Sequence, residues 1–272
     1  MEIDFLIPSS VFIIIMLSIL FYERIQDKMK TILEDKKLSM REIVLMVFSM
    51  GVMVTTIALM PNYAIQILFI AAYSYMLLVF TYIILRRWFL AFLPPIIFVA
   101  SYLLVKNIFV MNIFAALFTI MVIVYLNSLF SWKVTVVFAF LLMIMDIIQV
   151  FWTGYMVEAA NKMIGLQLPI ALILPTFPSY RLTALGLGDI FLSGLLSAQT
   201  ASKYGQRKGL ITAATISIAL FIFEILMLNM EIGVQGFPAT IIVLLGWLLG
   251  MGLVFLKEKR SILLHKKCER VD

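Results

Sequence analysis

The stretch IVLMVFSMGVMVTTIALM, residues 43–60, decides the fold class. It is apolar on every side, so it shows neither the two-residue alternation of a barrel strand nor the single apolar stripe of a soluble helix. At 1.5 Å per residue it reaches across about 27 Å, close to the roughly 30 Å hydrocarbon core of a bilayer. Backbone in lipid must satisfy its own hydrogen bonds, which makes such a run a helix. Comparable runs recur along all 272 residues: 64% of the chain is hydrophobic, 13% is charged and the mean hydropathy is +1.10. Soluble domains use about half apolar and a quarter charged residues. The chain therefore reads as an all-α membrane protein, and a soluble globule and a β-barrel are both excluded.

Working outward, apolar runs between charged, Pro or Asn breaks predict nine transmembrane helices, at 5–22, 43–60, 63–85, 88–105, 108–126, 133–157, 182–202, 210–229 and 237–256. Pro94-Pro95 should kink the fourth. Glu2 and Asp4 precede the first run where a signal peptide would carry basic residues, so that run reads as a retained helix. Residues 1–130 form a scaffold of five helices, 131–260 hold helices six to nine, and 261–272 are a basic tail.

The 21 Lys and Arg residues divide unevenly once these spans are drawn. Eighteen fall in the odd-numbered loops and the tail; only Lys106, Lys162 and Arg181 fall on the other side. The positive-inside rule then puts the C-terminus in the cytoplasm and the N-terminus outside. The net charge of +6 is thus a topology signal, and the expected surroundings are the lipid bilayer, with no nucleic acid. The only Cys and the only His, Cys268 and His265, lie in the tail. No Cys/His metal site or Ser-His dyad can form within the membrane, and no metal or cofactor is expected.

Of fifteen Asp and Glu residues, only Asp146, Asp189 and Glu224 fall inside predicted spans. A carboxylate at a helix centre costs on the order of 3 kcal/mol on insertion scales, so each needs a reason. Asp146 stands 13 residues past Lys133 and Asp189 14 residues before Lys203. Both therefore lie about 20 Å from the cytoplasmic boundary on neighbouring antiparallel helices. Asp146, Gln149 and Thr153 form one stripe, and Asp189, Ser193 and Ser197 another, each suited to line water. Gly186 and Gly188, lacking Cβ, allow a helix or an extended peptide close to the backbone.

Two carboxyls sharing a proton supply one acid and one base. The base takes a proton from water as it attacks a peptide carbonyl, and the acid serves the carbonyl oxygen and the leaving amine. On residue type and depth alone, the same pair suits a proton relay or a cation site in a transporter.

Leu185-Gly186-Leu187-Gly188-Asp189, following a central Asp on the preceding span, resembles the motif of the GxGD intramembrane aspartyl proteases. With nine spans and Pro238-Ala239-Thr240 opening the ninth, the chain is similar to the presenilin/signal peptide peptidase family, in a compact prokaryotic, archaeal-type form. The resemblance implies a presenilin-like bundle with Asp146 and Asp189 catalytic. It further implies support from Gly186, Leu187, Gly188, Pro238, Ala239, Thr240 and Gln149, with transmembrane peptides as substrates. A homo-oligomer is compatible with it. Phe151-Trp152 resembles the aromatic stretch after the family's first Asp. The chain departs from the pattern at Met145, where the family has Tyr, and at Thr240, where it has Leu. The external N-terminus resembles the signal-peptide-peptidase-like branch and implies substrates with a cytoplasmic N-terminus.

Two rivals are weighed beside this reading. A prepilin- or preflagellin-peptidase-like GxGD protease would have fewer helices and no Pro-Ala segment. A cation channel or proton-coupled transporter would often carry inverted repeats, and none is visible. Glu224 reads as a structural carboxylate. Between Met163 and Pro178, Pro169, Pro175 and Pro178 oppose a helix. Ile170–Leu174 reads either as an extended strand or as an interfacial loop.

Overall fold

The computed structural model describes residues 2–33, 37–105, 107–229 and 237–268. Lys36, Lys106 and Arg270 of the charge division lie outside the described residues. In chain order the elements are α1 (Leu6–Leu33), α2 (Met40–Leu59), α3 (Asn62–Leu85), α4 (Trp88–Ala91), α5 (Leu93–Ala100), α6 (Ile108–Leu129), α7 (Trp132–Ile147) and α8 (Tyr155–Gly165). They continue with β1 (Ala171–Pro175), β2 (Leu182–Gly186), α9 (Leu187–Tyr204), α10 (Gln206–Asn229) and α11 (Thr240–Cys268). Among the described residues, seven helical stretches are long and apolar enough to cross a membrane. The all-α membrane class holds, with one small hairpin added.

Local chemistry sets several boundaries. Ser39 and Glu42 cap α2 reciprocally: the Glu42 amide donates to Ser39 Oγ, and the Ser39 amide donates to Glu42 Oε2 at 2.6 Å. The fourth span is interrupted as Pro94-Pro95 suggests. α4 ends at Ala91, α5 restarts with proline in its first turn, and Ser101–Val105 widens into a π-helix.

Two predicted spans need correction. The sixth, 133–157, is not one α-helix: α7 ends at Ile147, Ile148–Thr153 is π-helical, and Gly154, at φ 71°, turns the chain into the separate α8. The seventh, 182–202, becomes helical only at Leu187, because residues 182–186 pair with β1. Its prolines keep the preceding segment out of a helix, and that segment gives β2 an antiparallel partner. Ile173 lies opposite Ala184, Leu174 opposite Thr183 and Ala171 opposite Gly186.

The main core surrounds α9, whose residues Ile190–Thr200 are all buried. α1, α6, α7, α10 and α11 pack around it through Ile15, Ile123, Phe138, Leu220 and Trp247. A second core joins α3, α5 and α6 around Phe98, where Tyr73 stacks on Phe118 at 4.0 Å. α10 and α11 meet backbone to backbone at Gly246-x-x-x-Gly250. A Cβ on Gly246 would stand 2.8 Å from Ile216 Cα, and one on Gly250 would stand 3.0 Å from Thr212 Cα. Small residues at four-residue spacing let membrane helices approach this closely.

Candidate active site

Asp146 lies in the last turn of α7, buried at 8% exposure, immediately before the π-helical widening. Such widenings recur at functional sites, because they re-aim side chains within a continuous helix. Asp189 occupies the first turn of α9, partly buried, where the helix's positive end favours an anion. α7 and α9 pack on one another, and the Asp146 charge reaches Asp189 electrostatically. The two aspartates thus stand on packed helices, within electrostatic reach of one another.

The start of α11 closes that site from a third side. Pro238, Ala239 and Thr240 are all buried, and the Thr240 hydroxyl lies beside the Asp146 carboxyl. Thr240 Oγ1 is a buried hydroxyl without a regular hydrogen-bond partner among the described residues. Thr240, which departs from the Pro-Ala-Leu pattern, therefore adds a polar group where a leucine side chain would be wholly hydrocarbon.

The two glycines of the motif have separate surroundings. A Cβ on Gly186 would lie 3.6 Å from Asp189 Oδ2, in ordinary contact, so Gly186 does share the Asp189 side. A Cβ on Gly188 would meet nothing within 4 Å. Among the described residues no neighbouring helix comes within 4 Å of a Cβ at either position. Leu187 continues the hairpin into the helix, its amide donating to the Ile170 carbonyl at 2.9 Å.

Gln149 faces away from the carboxyl pair. Its Nε2 donates to the Gly51 carbonyl of α2 at 2.9 Å, and Thr153 Oγ1 donates back to the Gln149 carbonyl. Met145, Gln149 and Thr153 line a cavity of about 490 Å³ shared with Gly51, Thr55 and Thr56, whereas Asp146 is absent from its lining. The i, i+3, i+7 stripe holds for a regular α-helix, and the π-helical turns rotate its last two members off the Asp146 face. On α9, Ser193 and Ser197 are fully buried; Ser193 Oγ donates to the Asp189 carbonyl and Ser197 Oγ has no partner among the described residues.

Residue-by-residue reading of the sequence overlooks three contributors. Asn112, in the second turn of the apolar α6, donates to the Ile173 carbonyl at 2.7 Å and accepts from the Ile173 amide at 3.0 Å. It closes the outer edge of β1 at that residue. A polar side chain within an apolar span is the signal that could have found it. Gly51 is the second: a Cβ there would stand 1.6 Å from Met145 Cε. The third is the Glu2–Phe5 segment, which lies against the hairpin. Glu224, by contrast, is within electrostatic reach of Asp4 near the start of α1, with Oε2 buried and unpartnered among the described residues.

Comparison of the chain with protein-family models, with curated proteins and with solved structures finds no match.

Proposed function

We propose that the protein is an intramembrane aspartyl endopeptidase that hydrolyses peptide bonds within or near transmembrane segments. The observation that carries this reading is the packing of α7 on α9, which brings Asp146 and Asp189 within electrostatic reach of one another, with buried Thr240 beside Asp146. A pair that shares one proton holds an acid and a base at once. The base activates water against the scissile carbonyl, and the acid protonates its oxygen and then the departing nitrogen. The resemblance to the presenilin/signal peptide peptidase family agrees with this chemistry. On that reading, Leu187–Tyr204 and Thr240–Leu256 add two further crossings to the seven, giving nine.

The hairpin suits a peptide substrate. Ile173 turns its backbone toward Asn112, so in the antiparallel alternation Ala184, directly opposite, turns its own N–H and C=O away from β1. That outer edge of β2 carries no further strand among the described residues and runs directly into Gly186 and Asp189. A transmembrane peptide has to unwind before hydrolysis, and pairing with this edge would satisfy its freed backbone groups beside the carboxyls.

The charge division orients the chain with its N-terminus outside, which favours substrates entering with a cytoplasmic N-terminus. A reporter fused after Val271 is expected in the cytoplasm; an external reporter would overturn the orientation and this preference. The activity is tested by incubating detergent-purified protein with a panel of transmembrane peptides and identifying products by mass. Wild type is expected to cleave, and Asp146→Asn and Asp189→Asn to lose cleavage while remaining folded. Activity should fall on both sides of a pH optimum, since the doubly ionised pair has no acid and the doubly protonated pair no base. Full activity in both variants would contradict the proposal, and proton-coupled flux without any cleavage would favour a transporter.

A further inference from the structure

Four residues ahead of α1 are built into the hairpin. Ile3 and Phe177 exchange backbone hydrogen bonds at 2.8 and 3.0 Å, an antiparallel bridge just beyond β1, and Phe5 stacks on Phe177 at 5.1 Å. Thr176 Oγ1 donates to Glu2 Oε2 at 2.8 Å. The far side of this segment is held as well: the Glu2 amide donates to Asn229 Oδ1, and Asn229 Nδ2 donates to the Glu2 carbonyl, each at 2.8 Å. The end of α10, the chain start and the hairpin are thereby laced together.

Asp4 is the centre of this lacing. It is fully buried, and its two oxygens serve different elements. Oδ1 accepts from the Leu6 and Ile7 amides at 3.1 Å each, capping α1, while Oδ2 accepts from Thr183 Oγ1 of β2 at 2.6 Å. Thr183 Oγ1 also approaches the Leu174 carbonyl across the hairpin at 3.2 Å. Charge-assisted bonds this short are the strong ones, and a buried carboxylate holds its donors in place because losing one leaves the charge uncompensated. Thr183 lies one residue before Ala184 and six before Asp189.

We infer that the Glu2–Phe5 strap, through the Asp4–Thr183 hydrogen bond, fixes the position of β2 along its axis and so sets which bond of an edge-paired peptide lies at Asp189. This inference rests on the protease reading. A strand offset carries every paired residue with it, so an anchor on β2 translates directly into cleavage position. Asp4 and Thr183 are positioning residues: they touch neither carboxyl of the pair.

The test uses the full-length protein with Thr183→Val, which keeps shape and deletes the hydroxyl, and with Asp4→Asn, which still caps α1 but no longer offers Thr183 a carboxylate. Two readouts are taken on each: the product map of a cleaved transmembrane peptide, and amide hydrogen exchange over 171–186 and 190–200. Both variants are expected to spread cleavage over neighbouring bonds and to speed hairpin exchange about tenfold or more, the loss of one charge-assisted bond. Exchange in 190–200 should not change. An unchanged product map would overturn the positioning role even if turnover fell, and unchanged hairpin exchange would overturn the strap itself. Faster hairpin exchange in a wild-type background that cleaves nothing would leave the strap standing while removing the protease reading and, with it, the control of cleavage position.

Discussion

α3 and α9 are opposites in composition and in surroundings. α3 is the more apolar of the two, with Gln66, Ser74 and Thr81 its few polar residues past the first turn, yet only 11% of its most apolar window is buried, and Ile67 and Tyr75 point outward at 67% and 71% exposure. α9 carries Ser193, Ser197, Gln199 and Thr200, and it is enclosed by protein from Ile190 to Thr200. In water the more apolar helix would be the buried one. In lipid, apolar side chains gain little by leaving the bilayer, so small residues that pack closely and polar residues that bond across helices take the interior. Asp189 stands one residue before the enclosed stretch of α9, and Asp146 lies on α7, which packs against it.

The largest expected difference between these helices is steric. A Cβ on Gly194 of α9 would stand 2.2 Å from Ile123 Cδ1 and 2.8 Å from its Cγ1, so Gly194→Leu should destabilise the protein by about 3 kcal/mol. Ile67→Ala on the outer face of α3 should stay within about 0.5 kcal/mol. Thermal unfolding in one detergent compares them, and equal effects would break the contrast. A smaller effect is expected at Gly51, whose Cβ would meet chiefly the flexible end of Met145, with Gln149 Nε2 next at 3.3 Å. Gly51→Ala should cost roughly 1 kcal/mol, less in a Met145→Ala background, because the two share one space.

Much of this was readable in the residues, and what was not has physical causes. The runs at 43–60, 63–85 and 108–126 coincide with α2, α3 and α6, because helices of membrane-spanning length announce themselves by hydropathy. Asp146 and Asp189 stand out because charge at that depth is rare. The start of α9 lies later than the apolar run suggests because Leu182–Gly186, as apolar as a helix end, pairs with β1, and strand pairing leaves no mark in hydropathy. The stripe through Gln149 failed because π-helical turns leave no mark in hydropathy. Gly246-x-x-x-Gly250 and the acidic chain start needed long-range packing to acquire meaning: Glu2 and Asp4 argued only against a signal peptide, and the structure binds them to the hairpin.

The smallest expected effect is on pH. The hydroxyls of Ser179 and Thr176, with Arg181 nearby, hold the Glu2 carboxyl below its ordinary value of about 4.3. A depressed folded-state value means its contribution is present above that range and is lost as pH falls through the folded value. Exchange at Ile3 and Phe177, corrected for intrinsic rate, should therefore be flat near neutrality and rise modestly below about pH 4. Glu2→Gln should remove that dependence, and a rise near neutrality would point to another group.

The central claim is that Asp146 and Asp189 act as one acid–base pair on a peptide bond, and it is tested most directly by binding of a hydroxyl-bearing transition-state analogue of aspartyl proteolysis. The hydroxyl stands in for the tetrahedral intermediate and can be gripped only by a pair holding one proton between them. Wild type is expected to bind it about a hundredfold or more tighter than Asp146→Asn or Asp189→Asn, in line with the advantage of such analogues over substrates. Equal affinity in all three proteins would contradict the account.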